Sequence, residues 1–127
     1  MNVIDLNIFD IKPFAIKIKT REYKVTYFPA KIELELMQNQ EGMLKKLTKL
    51  SSISKTDHDN WKRIITRLLV ENDNEVVGND VEDLQAIQLI AVMNLLYTKI
   101  GDKASKLQDI FKDDEDDSND EKKKTMK

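Results

Sequence analysis

Two runs of alternating apolar and polar residues open the readable part of the chain. Phe14, Ile16 and Ile18 alternate with Ala15, Lys17 and Lys19, and Tyr23, Val25 and Tyr27 alternate with Lys24 and Thr26. A two-residue period built from β-branched and aromatic side chains predicts two strands. With only Thr20-Arg21-Glu22 between them, the pair reads as a hairpin over 14–28, one face toward a core and a lysine- and threonine-bearing face toward water. Pro29 closes the second strand and suits the first turn of a helix, where its missing N–H is no loss. Ahead of the hairpin, residues 1–12 mix Val3, Ile4, Leu6, Ile8, Phe9 and Ile11 with Asn and Asp. They fit an edge strand or a loose arm equally well.

After Pro29 the period changes. Ile32, Leu36, Met43, Leu47 and Leu50 share one face at about 100° per residue, which predicts a helix over 31–51 with a weak point at Gly42. Ser51, Ser52 and Ser54 mark the loop after it. Thr56-Asp57-His58-Asp59 places a hydroxyl and carboxylates where a helix begins. The helix over 57–71 carries Trp61, Ile64, Ile65, Leu68 and Leu69 on one stripe, with Lys62, Arg63, Thr66 and Arg67 opposite. A loop over 73–79 contains Gly78. The next helix, 81–100, is apolar on two sides: Val81, Leu84, Ile87, Ala91 and Leu95 on one, and Leu89, Ile90, Met93, Leu96, Tyr97 and Ile100 on the other. A helix that is apolar nearly all round sits at the centre of its fold or is covered by a partner. Gly101 is expected to end or kink it, and Leu107, Ile110 and Phe111 predict a last short helix over 103–112. The fold class is therefore α+β and mostly helical: one domain over 1–112, an N-terminal hairpin followed by three to four helices.

The final stretch changes the picture. Residues 113–127 hold Asp113-Asp114-Glu115-Asp116-Asp117, then Asp120-Glu121, then Lys122-Lys123-Lys124. Without apolar anchors before Met126, such a segment is expected to stay disordered. Apart from it, 127 residues suffice for a real core without staples. The net charge of -2 gives no argument for nucleic acid, and cysteine is absent, which excludes disulfides and thiolate metal sites. Asp5 and Asp10 interrupt any early apolar run of the signal-peptide kind, and no apolar stretch reaches bilayer length.

Catalytic chemistry finds no foothold in the residues. His58 is the one histidine and lies between carboxylates, but adjacent helical residues point in different directions and no second imidazole exists to join it. Asp73-Asn74-Glu75-Val76-Val77-Gly78 begins like a calcium loop. Val77 stands where an oxygen ligand belongs, and Leu84 where the closing glutamate belongs. The glycines are isolated, so no phosphate-cradling loop forms. Lys45, Lys46 and Lys49 make a basic stripe without the interleaved aromatics of a single-strand binder. No enzyme, cofactor or metal is expected.

The order of parts resembles the tail assembly chaperones of long-tailed bacteriophages: a short leader, a hairpin reading Phe14-Ala15-Ile16-Lys17-Ile18-Lys19 and Glu22-Tyr23-Lys24-Val25-Thr26-Tyr27, a helical body, and a charged tail with a lysine run. The likeness covers about residues 11–112 and is one of pattern and size. It implies a protein of the host cytoplasm, absent from the mature virion. Such a protein keeps the tape measure protein soluble and helps recruit tail tube subunits. It also implies a longer form made by ribosomal frameshifting, for which codons at Lys122-Lys123-Lys124 offer a slippery site. The residues expected to meet the client are Leu89, Ile90, Met93, Leu96, Tyr97, Leu107, Ile110 and Phe111, by helix-in-groove recognition. Self-association through the same helix is the alternative use of that surface. Two other readings compete: a small head–tail or tail component retained in the virion, and a regulatory protein whose acidic tail docks on a basic partner.

Overall fold

A computed structural model describes the backbone of residues 3–126 and the side chains of residues 3–112. An antiparallel hairpin, β1 (Phe14–Ile18) and β2 (Arg21–Val25), is followed by α1 (Ala30–Gln38), α2 (Gln40–Thr48), α3 (Lys55–Glu71) and a long α4 (Ala86–Met126). The α+β, mostly helical class holds. The expectation of a disordered segment over 113–127 falls on residues whose side chains lie outside the described set.

The strands pair Phe14 with Val25, Ile16 with Tyr23 and Ile18 with Arg21. Their turn is Lys19-Thr20, one residue earlier than the spacing predicts, so the second strand starts at Arg21 and ends at Val25. Lys19 takes the left-handed conformation, φ 57°, that this tight connection needs. That conformation costs a residue with a Cβ roughly 1–2 kcal/mol. The Lys19 Nζ then reaches Asp83 at 3.0 Å, and this contact raises its pKa.

Ile16, Ile18, Tyr23 and Val25 point from the hairpin into one core with Ile32 and Leu36 of α1, Met43 of α2, the α3 stripe, and Leu89, Met93, Leu96, Tyr97 and Ile100 of α4. Leu36, Ile65, Leu68, Leu69, Leu89 and Leu96 have no exposed surface. The α3 stripe Trp61, Ile64, Ile65, Leu68 and Leu69 is buried throughout, as its period requires.

Four boundaries differ from the periodic reading. The helix expected over 31–51 breaks at Asn39, not Gly42. The Asn39 side-chain amide donates to the Glu35 carbonyl at 2.8 Å, and its N–H is shared between the Glu35 and Leu36 carbonyls, so a side chain occupies the helical ladder. Next, α3 begins two residues early because Ser54 is its cap. The Ser54 hydroxyl accepts from the Asp57 N–H and the Asp57 carboxylate accepts from the Ser54 N–H, a reciprocal capping box.

Third, the helix expected from 81 starts at Ala86. Residues 77–84 instead form successive turns, with Asp80 N–H bonded to Val77 C=O and Asp83 N–H to Asn79 C=O. These turns aim Asp80 inward, and Gln85 N–H is then taken by the Gln88 side chain at 2.7 Å, opening α4. Finally, Gly101 does not end the helix, and the helices expected over 81–100 and 103–112 are one. A glycine inside a helix costs about 1 kcal/mol, which the packing of Ile100 beside it outweighs.

Candidate functional site

The residues expected to meet a client divide sharply. Leu89, Met93, Leu96 and Tyr97 are buried under the chain's own hairpin and helices, so they belong to the core and not to a docking surface. The reason is geometric. Helices α1, α2 and α3 all pack against α4, the inward residues of the hairpin join the same core, and a helix apolar on most of its circumference is what such a position demands. Ile90 is half-buried against the same core. Burial also lifts the Tyr97 phenol to about 12, with the Glu35 carboxylate adding to the rise.

Beyond Ile100 the situation reverses. Leu89, Met93, Leu96, Ile100, Lys103, Leu107 and Ile110 follow one another at alternating spacings of four and three, so they trace a single stripe along α4. The stripe is covered as far as Ile100. Lys103 then pairs with Glu33 of α1 and lies over the Phe28 ring. Leu107 is 44% exposed and Phe111, one turn on, is 57% exposed, with Ile110 half-buried between them. The core-facing stripe has outrun the core it was built for.

The leader lies along this same part of the helix. Asp5 caps a 3-10 turn, Leu6–Phe9, through its side chain, and that turn packs against α4. Ile11 is buried, and with Lys12 it lines a shallow cleft opposite Lys99, Asp102, Lys103 and Lys106. Val3, Ile4, Leu6 and Ile8 remain exposed. The sequence places these leader residues only as strand or arm. Their alternation is broken by Asn and Asp, so no period marks them as surface.

A second feature absent from the sequence reading is a polar hub at the hairpin's end. Asp80 is nearly fully enclosed. It accepts from the Tyr23 hydroxyl at 2.5 Å and from Arg21 at 3.2 and 3.3 Å. The Tyr23 hydrogen bond first, and Arg21 and Lys19 after it, hold the Asp80 carboxyl below the usual carboxylate range against the opposing effect of burial. Its folded pKa therefore lies below the unfolded value. The hub's contribution to stability is present above the unfolded carboxylate range, near pH ~4, and is lost as pH falls through the folded pKa. Tyr23→Phe removes the largest cause of that depression. Acid unfolding followed by Trp61 fluorescence is expected to move to higher pH in this variant, and an unchanged midpoint would contradict the assignment.

The other ion pairs, Lys46 with Asp57 and Arg63 with Glu35, tie α2 and α1 to α3. At Asp57 burial acts to raise the pKa, but the bonds from Lys46 and Ser54 outweigh it and the net shift is downward. Among the described residues no group of three or more His, Asp or Glu side chains is placed to hold a metal ion. His58 stacks at a tilt, 5.9 Å from the Trp61 ring, on the first turns of α3. Among the described residues no helix is long and apolar enough to cross a membrane. In comparisons with protein-family models, curated proteins and solved structures, nothing matches this chain.

Proposed function

We propose that this chain is a non-catalytic assembly chaperone that holds an apolar helical client in solution until the client's partners polymerise around it. The resemblance to phage tail assembly chaperones supplies the client class, a tape measure protein, and the second partner, tail tube subunits. It also supplies the setting, the host cytoplasm, with the chaperone left out of the finished particle. The observation that supports the reading is the stripe of α4 that continues past the core as Leu107, Ile110 and Phe111, flanked by the exposed leader. An amphipathic client helix would lay its apolar face on such residues.

The test is co-expression with a candidate tape measure protein, comparing the natural chain with a Leu107→Asp/Phe111→Asp variant. Both positions are largely exposed, so the variant is expected to keep its stability within about 1 kcal/mol. The natural chain should keep the client in the soluble fraction and co-purify with it, and the variant should do neither. Equal client solubility with both chains would overturn the reading.

A further inference from the structure

The two edges of the hairpin are treated differently. Along the outer edge of β2, Lys24 N–H donates to Asn74 Oδ1 at 3.2 Å, and Asn74 Nδ2 donates back to the Lys24 carbonyl at 2.8 Å. Two residues on, Thr26 N–H and Tyr27 N–H donate to Asn72 Oδ1, and Asn72 Nδ2 donates to the Tyr27 carbonyl. Two asparagine amides thus act as a stand-in strand and close that edge.

The same bonds fix which main-chain groups face where. Lys24 points its N–H and C=O away from β1, so by strand alternation Tyr23 and Val25 point theirs toward it. On β1, Phe14, Ile16 and Ile18 answer them, and Ala15 and Lys17 direct their N–H and C=O groups outward. Both residues are exposed, the sheet has only these two strands, and no hydrogen bond from elsewhere in the described chain reaches that edge. The edge borders a cleft of about 340 Å³ whose near wall runs from Ile16 to Lys19 and whose far wall is Leu84, Gln85, Gln88, Ala91 and Val92, with Asp80 and Asp83 beside Lys19. The bridge from Lys19 to Asp83 closes one end of it.

We propose that β1 is a docking edge for an extended segment of a partner protein, one that alternates apolar with acidic side chains and adds to the hairpin as a third strand. The open row of Ala15 and Lys17 groups requires a main chain in extended form. The apolar part of the far wall, Leu84, Ala91 and Val92, takes every second side chain. Charge selects the rest: residues 11–19 carry no acidic residue, Lys19 is already held by Asp80 and Asp83, and Lys12 and Lys17 make no ion pair among the described residues, which leaves these two for an acidic strand. Two copies of this edge would bring lysines against lysines, as edge strands that avoid self-pairing do. An acidic strand meets no such penalty. The edge stands apart from the α4 overhang, so either site can fail without the other.

The probe is a capped octapeptide alternating valine with glutamate, added to the full-length protein while amide hydrogen exchange is followed by NMR. At millimolar peptide, exchange at Ala15 and Lys17 is expected to slow about tenfold or more, with Tyr23 and Val25 unchanged because they are already paired. N-methylation of alternate peptide residues should abolish the effect in one phase and spare it in the other. Lys17→Pro removes an outward N–H that the hairpin itself does not use, a tolerated edge substitution, and should abolish it too. Unchanged exchange at Ala15 and Lys17, equal protection by both N-methylated phases, or equal protection by a valine–lysine peptide would each overturn the proposal. So would protection that appears without peptide and rises with protein concentration, which assigns the edge to a second copy. If Lys17→Pro disrupts the hairpin by circular dichroism, the two N-methylated peptides decide the matter alone.

Discussion

Met93→Asp is expected to leave no folded protein at neutral pH. Met93 is 1% exposed, at the centre of the stripe where α4 meets the rest of the core. An aspartate there loses the methionine's burial, worth ~2 kcal/mol. It also buries a carboxylate on the side facing Glu35 and Asp57, whose partners Arg63 and Lys46 are already engaged, adding ~4 kcal/mol or more. Together these match the whole stability of an ordinary domain, roughly 5–15 kcal/mol. The expected result is loss of the far-ultraviolet helical signal and a red shift of Trp61 emission to that of the urea-unfolded chain. The same chemical change at Leu107, about four turns on, is expected to be close to neutral. That contrast separates a core stripe from a surface stripe on one helix, and a folded, cooperative Met93→Asp protein would refute the placement of α4.

Leu68→Ala is expected to produce the largest loss among substitutions that leave the fold intact. Leu68 has no exposed surface, and α3 touches the hairpin, α1 and α4. Surrounded by separate elements that cannot collapse independently, its site should retain most of the vacated volume, so the cost falls in the upper part of the usual range, about 3–4 kcal/mol. For a domain of this size that is a fall in Tm of ~10–15 °C. Urea unfolding gives the direct measurement, again by Trp61, the chain's one tryptophan. Its indole is 4% exposed and lies on the same helix. A loss below ~1.5 kcal/mol would mean that the site closes up, contrary to the packing described.

Much of this architecture is legible in the sequence because it depends on period. The alternation at 14–18 and 21–25 and the stripe from Trp61 to Leu69 translate directly into buried faces. What was not legible depends on single side chains turned against the pattern. Asn39 enters a helical ladder, and Asp80 turns inward to Tyr23 and Arg21, delaying α4 by five residues. Neither has a periodic signature.

The candidate site fared differently for a different reason. The apolar circumference of α4 fits either a helix at the centre of its fold or one covered by a partner. Three helices, α1, α2 and α3, and the hairpin's core residues supply that cover from within for Leu89, Met93, Leu96 and Tyr97. Past Ile100 the same helix leaves Leu107 and Phe111 exposed, with Ile110 half-buried between them. Burial depends on what surrounds a helix, and one helix's own pattern does not carry that information. The open edge of β1 was hidden for a similar reason: whether a strand is paired depends on residues such as Asn72 and Asn74, some fifty positions away.

That separation has a consequence for synthesis. The hairpin leaves the ribosome before the residues that restrain it, Asn72, Asn74, Asp80 and Asp83, which lie between 45 and 64 residues downstream. A lone pair of strands is marginal in water. The nascent amino-terminal portion must therefore stay unsettled through translation of more than half the polypeptide. Its apolar side chains are open to chance encounters until the later segments arrive to lock it down.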